Sequence, residues 1–201
     1  MILNWINAPI EDFSLYAEAY HKVAKAAFDE MKKIQDVGFH RVPIDDFLTF
    51  PIVYLYRHSL ELNLKAVILT GAPMLELKGN TKINTGDILK THSLEKLAEK
   101  IEQIFSAYGW EWDLGTEHFT TLQDFRDIII ELHNMDTKAT AFRYPLNNKG
   151  DASLPKNFEF NIYDFCEIID GLLYALEGAA YGAHEELQQT YEMIAEFYHD
   201  I

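Results

Sequence analysis

Arg126 and His133 stand seven positions apart in the stretch Arg-Asp-Ile-Ile-Ile-Glu-Leu-His. On a helix that is two turns, so both side chains project from one face. Such a pair offers a base of near-neutral pKa and a fixed cation for developing negative charge, with no metal needed. Asp127 and Glu131 place negative charge beside them. A second group is Arg57, Glu61 and Lys65, spaced i, i+4, i+8, with His58 one position off that stripe. The surrounding segment is strongly apolar, so these polar groups need partners, which His92, Asp136 or Arg143 could supply across a bundle. Two readings stay open. The group is either a buried polar network that fixes helix register, or a phosphate or nucleotide pocket lined by Arg57, His58, Lys65, His92 and Arg143. Arg143 and Tyr144 precede Pro145, which fixes an extended backbone. They either present a guanidinium and a ring to a base or phosphate, or anchor the loop on the bundle.

Metal chemistry has little support. His21, His40, His118, His184 and His199 are scattered, with no His-Glu-x-x-His and no Cys-His set. The lone Cys166 lies among Phe165, Ile168 and Ile169 and reads as a buried thiol. No Gly-rich phosphate loop follows a strand, and no metal or other cofactor is implied.

The chain has 201 residues, 48% of them hydrophobic, which is enough for one domain spanning 1–201 with a real core. Seventeen Lys and Arg against 32 Asp and Glu give a net charge of −15, which argues against a generic polyanion binder. That charge is uneven. From Asn157 to Ile201 there are ten acids and no Lys or Arg, whereas Lys65 to Lys100 carries six lysines against four acids. The acidic third is either a solvated coat or a docking face for a basic partner. The sequence shows no signal peptide and no run long enough to span a membrane, so a cytoplasmic protein is expected.

Helical periods supply the elements that must position these groups. Ile10, Phe13, Ala17, Tyr20, Ala24, Ala27, Met31 and Ile34 recur at three-four spacing. They predict a first helix about 40 Å long, opened by Pro9 and closed by Gly38. A second, central helix is expected from about Pro51 to Thr70, stopped by Gly71 and Pro73, with a polar loop over 71–90. A third should span about Ser93 to Tyr108 and a fourth about Glu117 to Met135. A long loop or small hairpin follows over 136–159. The last helix starts near Asn161 and can reach His199, unless Gly171, Gly178 and Gly182 break it. Strand alternation is weak throughout. The expectation is all-α, an antiparallel bundle of about five helices with two long outer helices and a long loop before the last.

Three segments in order carry a resemblance: Glu61-Leu-Asn-Leu-Lys65-Ala66, then Thr91-His92-Ser93-Leu94 with Leu97, then Arg143-Tyr144-Pro145. On a bundle of this size the set resembles the HEPN superfamily of α-helical, nucleotide- and RNA-associated domains, over about Tyr54 to Pro145. The family's catalytic signature is an arginine, a polar residue, and a histidine four to six residues beyond, and Arg126-Asp127 with His133 fits at the upper limit. The resemblance implies a metal-independent endoribonuclease, such as a toxin or antiviral effector, acting as a homodimer. Many bundles of this superfamily are not nucleases. It equally implies a binding module for a nucleotide or for a partner such as a nucleotidyltransferase or antitoxin.

Overall fold

A computed structural model describes residues 12–36, 42–79, 82–113, 115, 117–156 and 158–199. Among the described residues six helices make an all-α bundle: α1 (Phe13–Asp36), α2 (Val42–Leu77), α3 (Thr85–Lys90), α4 (Leu94–Tyr108), α5 (Leu122–Met135) and α6 (Ile162–His199). The expected boundaries at Pro9 and Gly38 lie outside the described residues. Asp12 caps α1, its carboxylate accepting from the Ser14 and Leu15 amides at 2.9 and 3.2 Å. The three-four stripe of α1 is the buried one, with Ala17, Ala24 and Met31 at most 1% exposed.

The central helix is longer than its punctuation predicts. Pro51 and Pro73 both sit inside α2, and Gly71 does not end it. Gly71 is needed for closeness rather than for termination. A Cβ there would lie 2.6 Å from Ile104 Cγ2, so α4 packs directly on the α2 backbone. Packing of a helix whose side chains are all buried or half-buried from Ile52 to Leu75 outweighs the local cost of the two prolines. The expected polar loop over 71–90 therefore contains the end of α2 and the one-and-a-half-turn α3, capped by Asn84.

The remaining ends follow capping chemistry. Ser93 caps α4, and Thr121 with Asp124 forms a capping box that starts α5 five residues later than the apolar pattern indicates. Asn161 accepts from the Tyr163 and Asp164 amides at 3.1 and 3.4 Å and opens α6. That helix runs unbroken through all three glycines. Trp110 packs 3.5 Å from where a Gly182 Cβ would be.

Side-chain registers fix directions. Ser59 bonds Ala17 O, and Phe28 packs on Tyr163 while His21 reaches Glu177, so α1 runs antiparallel to both α2 and α6. The α3 segment returns along α2, bringing Leu89 beside Lys65 and His92 beside Arg57. α4 then climbs parallel to α2, reaching Ile104 at Gly71 and Ala107 at Lys78. α5 descends beside α4. Long connections make this mixture of directions possible. The described part of the 136–161 connection is the expected ordered loop. Phe142, Phe158 and Phe160 pack on one another, and a Leu146–Ala152 bridge closes its tip.

Candidate functional site

Arg57, Glu61 and Lys65 are each 2–3% exposed, so the i, i+4, i+8 stripe faces inward. Glu61 is the hub. Its Oε1 accepts from Lys65 Nζ at 2.8 Å and lies 2.9 Å from His92 Nδ1, while Oε2 lies 3.4 Å from Arg57 Nη1. Burial works against its charge, yet Lys65 and His92 overcome that and hold the carboxyl below the usual carboxylate range. Arg57 Nη2 donates to His92 O at 3.1 Å and to Asp136 O at 3.2 Å. One guanidinium thus ties the loop before α4 to the loop after α5. Asp136 extends the tie by accepting from the Thr140 amide at 2.8 Å. Its other oxygen, Oδ2, is buried without a hydrogen bond, 4.0 Å from the equally unbonded Nε of Arg57.

Contrary to the expected pocket lining, Arg57 and Lys65 do not line an open phosphate pocket: both are buried, with Nη1 and Nη2 of Arg57 and Nζ of Lys65 turned to Glu61 and to backbone carbonyls inside the bundle. Of the three partners considered for this stripe, His92 and Asp136 supply contacts. Arg143 instead lies outside. It is exposed, and its guanidinium carbon sits 5.5 Å from the centroids of both Tyr54 and Tyr144. Tyr54 stacks on His58 at 5.8 Å and 10°, and Tyr20 of α1 meets the other side of that imidazole edge-on at 4.5 Å. Burial lowers the His58 pKa, and Arg57, Lys65 and Arg143 push it the same way against Glu61. His58 is therefore a neutral ring at pH 7, held within an aromatic strip that also carries the exposed cation Arg143. His92 is 63% exposed, and its Nδ1 faces Glu61, which leaves Nε2 toward solvent.

The Arg126 and His133 pair has a different setting. Arg126 makes a two-pronged ion pair with Glu102 of α4, Nε and Nη2 at 2.7 and 2.6 Å from the two oxygens. His133 Nε2 lies 3.8 Å from Glu95 Oε2, and its Nδ1 is buried without a hydrogen bond. Glu95 and Glu102 are themselves seven positions apart. The two pairs are rungs of one ladder between antiparallel helices, so the Arg-to-His spacing mirrors a Glu-to-Glu spacing on the neighbour.

Two groups escaped the sequence reading. Tyr54 and Tyr20, the rings beside Arg143 and His58, were hidden in apolar helical runs. His21, counted among scattered histidines, is 3% exposed and bonds Asp170 at 2.7 Å and Glu177 at 3.3 Å across to α6. Its position four residues from Ala17 and three from Ala24 places it on the α1 seam, which is the signal that could have found it. Asp170 also accepts from Lys25 at 2.6 Å and Tyr56 at 2.9 Å. Cys166 is fully buried, and burial pushes its thiol up to about 12, so it is no nucleophile at neutral pH. Among the described residues no group of three or more His, Cys, Asp or Glu gathers to hold a metal ion. No described helix is long and apolar enough to cross a membrane.

Fold and site together define an α-helical bundle with a buried ion cluster beneath a cation-bearing aromatic face. No family model, curated protein or solved structure matches the chain.

Proposed function

We propose that the protein is a HEPN-like binding module that takes a phosphate-bearing, base-containing ligand, a nucleotide or an RNA end, on the face formed by Tyr54, His58, His92, Arg143 and Tyr144. The observation that carries this reading is the exposed guanidinium of Arg143, without an acidic partner among the described residues and held over Tyr54, beside a neutral stacked imidazole. Arginine supplies a planar pair of donors for phosphate, and the rings supply stacking surface for a base. Arg57 and Lys65 act from below as positioning residues. They fix the loops that carry His92 and Arg143.

The test is calorimetric titration of the full chain with GMP, ATP and inorganic phosphate. Saturable heat with a nucleotide is expected, weakened about tenfold or more by Arg143→Ala and unchanged by Arg126→Ala. Silence with all three ligands overturns the reading.

A metal-independent ribonuclease acting as a homodimer is the second reading. It is favoured by the shared face of Arg126 and His133 and by the unbonded His133 Nδ1. It requires that RNA displace Glu102 from Arg126. Cleavage of RNA by the wild-type chain, abolished by His133→Ala and by Arg126→Ala, would establish it in place of the binding module. An antitoxin or nucleotidyltransferase partner belongs with that outcome.

A further inference from the structure

Two crevices meet at His184 of α6. The first, of about 530 Å³, lies between the start of α1, the middle of α2 and α6. Phe13, Leu69 and Tyr181 give it apolar walls, and Asp12, Glu18 and Glu177 rim it. The second, of about 440 Å³, continues along α6 past Leu187 and Tyr191 to Ala195, with Glu192 beside it. Their α6 residues, 177, 181, 184, 188, 191 and 195, recur at three-four spacing and so form one face of the helix. At 1.5 Å per residue this face is about 27 Å long, the length of a five-turn helix. Tyr181 and Tyr191 are 69% and 48% exposed along it, and every residue from Tyr191 to His199 is exposed. A half-apolar helix face of this length that no described residue covers is an interaction surface.

Charge selects the occupant. The segment from Asn157 to Ile201 has ten acids and no Lys or Arg of its own, and among the described residues only Asp170 is paired with a lysine from another element. A second α6 laid against the first would bring acids against acids. The lysines of α1 that another copy could offer, Lys22, Lys25, Lys32 and Lys33, are each ion-paired within their own chain. Anionic lipid is repelled for the same reason. We infer that this groove on α6 receives a basic amphipathic helix of a partner protein. The partner's apolar residues, at three-four spacing, cover Tyr181, Leu187 and Tyr191, and its Lys or Arg side chains lie beside Glu177 and Glu192.

The experiment uses the full chain and a fluorescein-labelled, 18-residue leucine–lysine peptide of about five turns, with leucines at helical spacing. Its control has the same composition with leucines strictly alternating. Anisotropy should report saturable binding of the helical peptide alone. Tyr181→Ser combined with Tyr191→Ser should weaken it about tenfold, with the helical content unchanged because both rings are exposed. Glu192→Lys should weaken it several-fold, whereas Glu99→Lys on α4, an equal change in net charge, should leave it alone. Equal binding of the alternating peptide, insensitivity to the double variant, or no saturation by about 100 µM would overturn the inference. So would a dimer that the double variant dissolves, or capture by phosphatidylglycerol vesicles that depends on the same tyrosines. Arg143→Ala leaves peptide binding unchanged, so failure here is separable from failure of the nucleotide reading.

Discussion

Arg57 and Arg126 both pair with a glutamate, but their surroundings make them different devices. Arg57 lies inside the bundle, and its guanidinium joins Glu61 to two loop carbonyls. Arg126 lies outside, gripping Glu102 in better hydrogen-bond geometry. Shorter distances do not make the outer pair stronger in effect. Solvent screens it, and losing it exposes nothing that water cannot satisfy. The inner pair has no such substitute, because any partner removed leaves a charge buried alone. The comparison teaches that a polar cluster under a surface can govern that surface without touching a ligand.

The largest break in this comparison is Glu61→Ala. It leaves Lys65 as an uncompensated buried charge and Arg57 with only Asp136, 4.0 Å away, and should cost about 3–5 kcal/mol in denaturant unfolding. Loss of order in the loop from Asp136 to Tyr144, read by hydrogen exchange, should accompany it.

Acid probes the same cluster without mutation. Burial opposes the charge of Asp170, but His21, Lys25 and Tyr56 hold its carboxyl low, as Lys65 and His92 do for Glu61. A depressed carboxylate contributes stability that is complete above the unfolded value of roughly 4 and is lost as pH falls through the folded one. His58, depressed mainly by burial, adds an earlier loss that begins as pH drops below the ordinary histidine value of 6.5. Unfolding free energy should therefore fall in two stages on acidification. Asp170→Asn should flatten the lower stage and His58→Gln the upper.

Gly71→Ala sharpens the contrast between inner and outer faces. Its new methyl meets Ile104, and α4 must shift, at about 1–3 kcal/mol. Arg126→Ala, the counterpart on the outer face, should give the smallest change in the denaturation midpoint.

The helical architecture was legible because three-four spacing survives in Ala17, Ala24 and Met31, and because Ser93 and Asn161 are caps whose chemistry is local, whereas the Thr121–Asp124 capping box that starts α5 went unread. The extent of α2 was not. Pro51, Gly71 and Pro73 are strong local signals, and what overrides them, such as the approach of Ile104, is a contact 33 positions away. The Arg57–Glu61–Lys65 stripe announced itself by spacing, but only the fold shows that it faces inward and meets His92 and Asp136. Nothing in the spacing of Arg126 and His133 reveals that Glu102 and Glu95 wait opposite, since that register belongs to the α4–α5 pairing.

Side-chain NMR of the arginines during titration with GMP separates the regions in one spectrum, because the chain has only four arginines. The Arg143 Nε resonance should move saturably while that of Arg126 stays with Glu102. Movement at Arg126 with Arg143 unmoved, or no movement at either, would contradict the assignment of function to the face above the buried cluster.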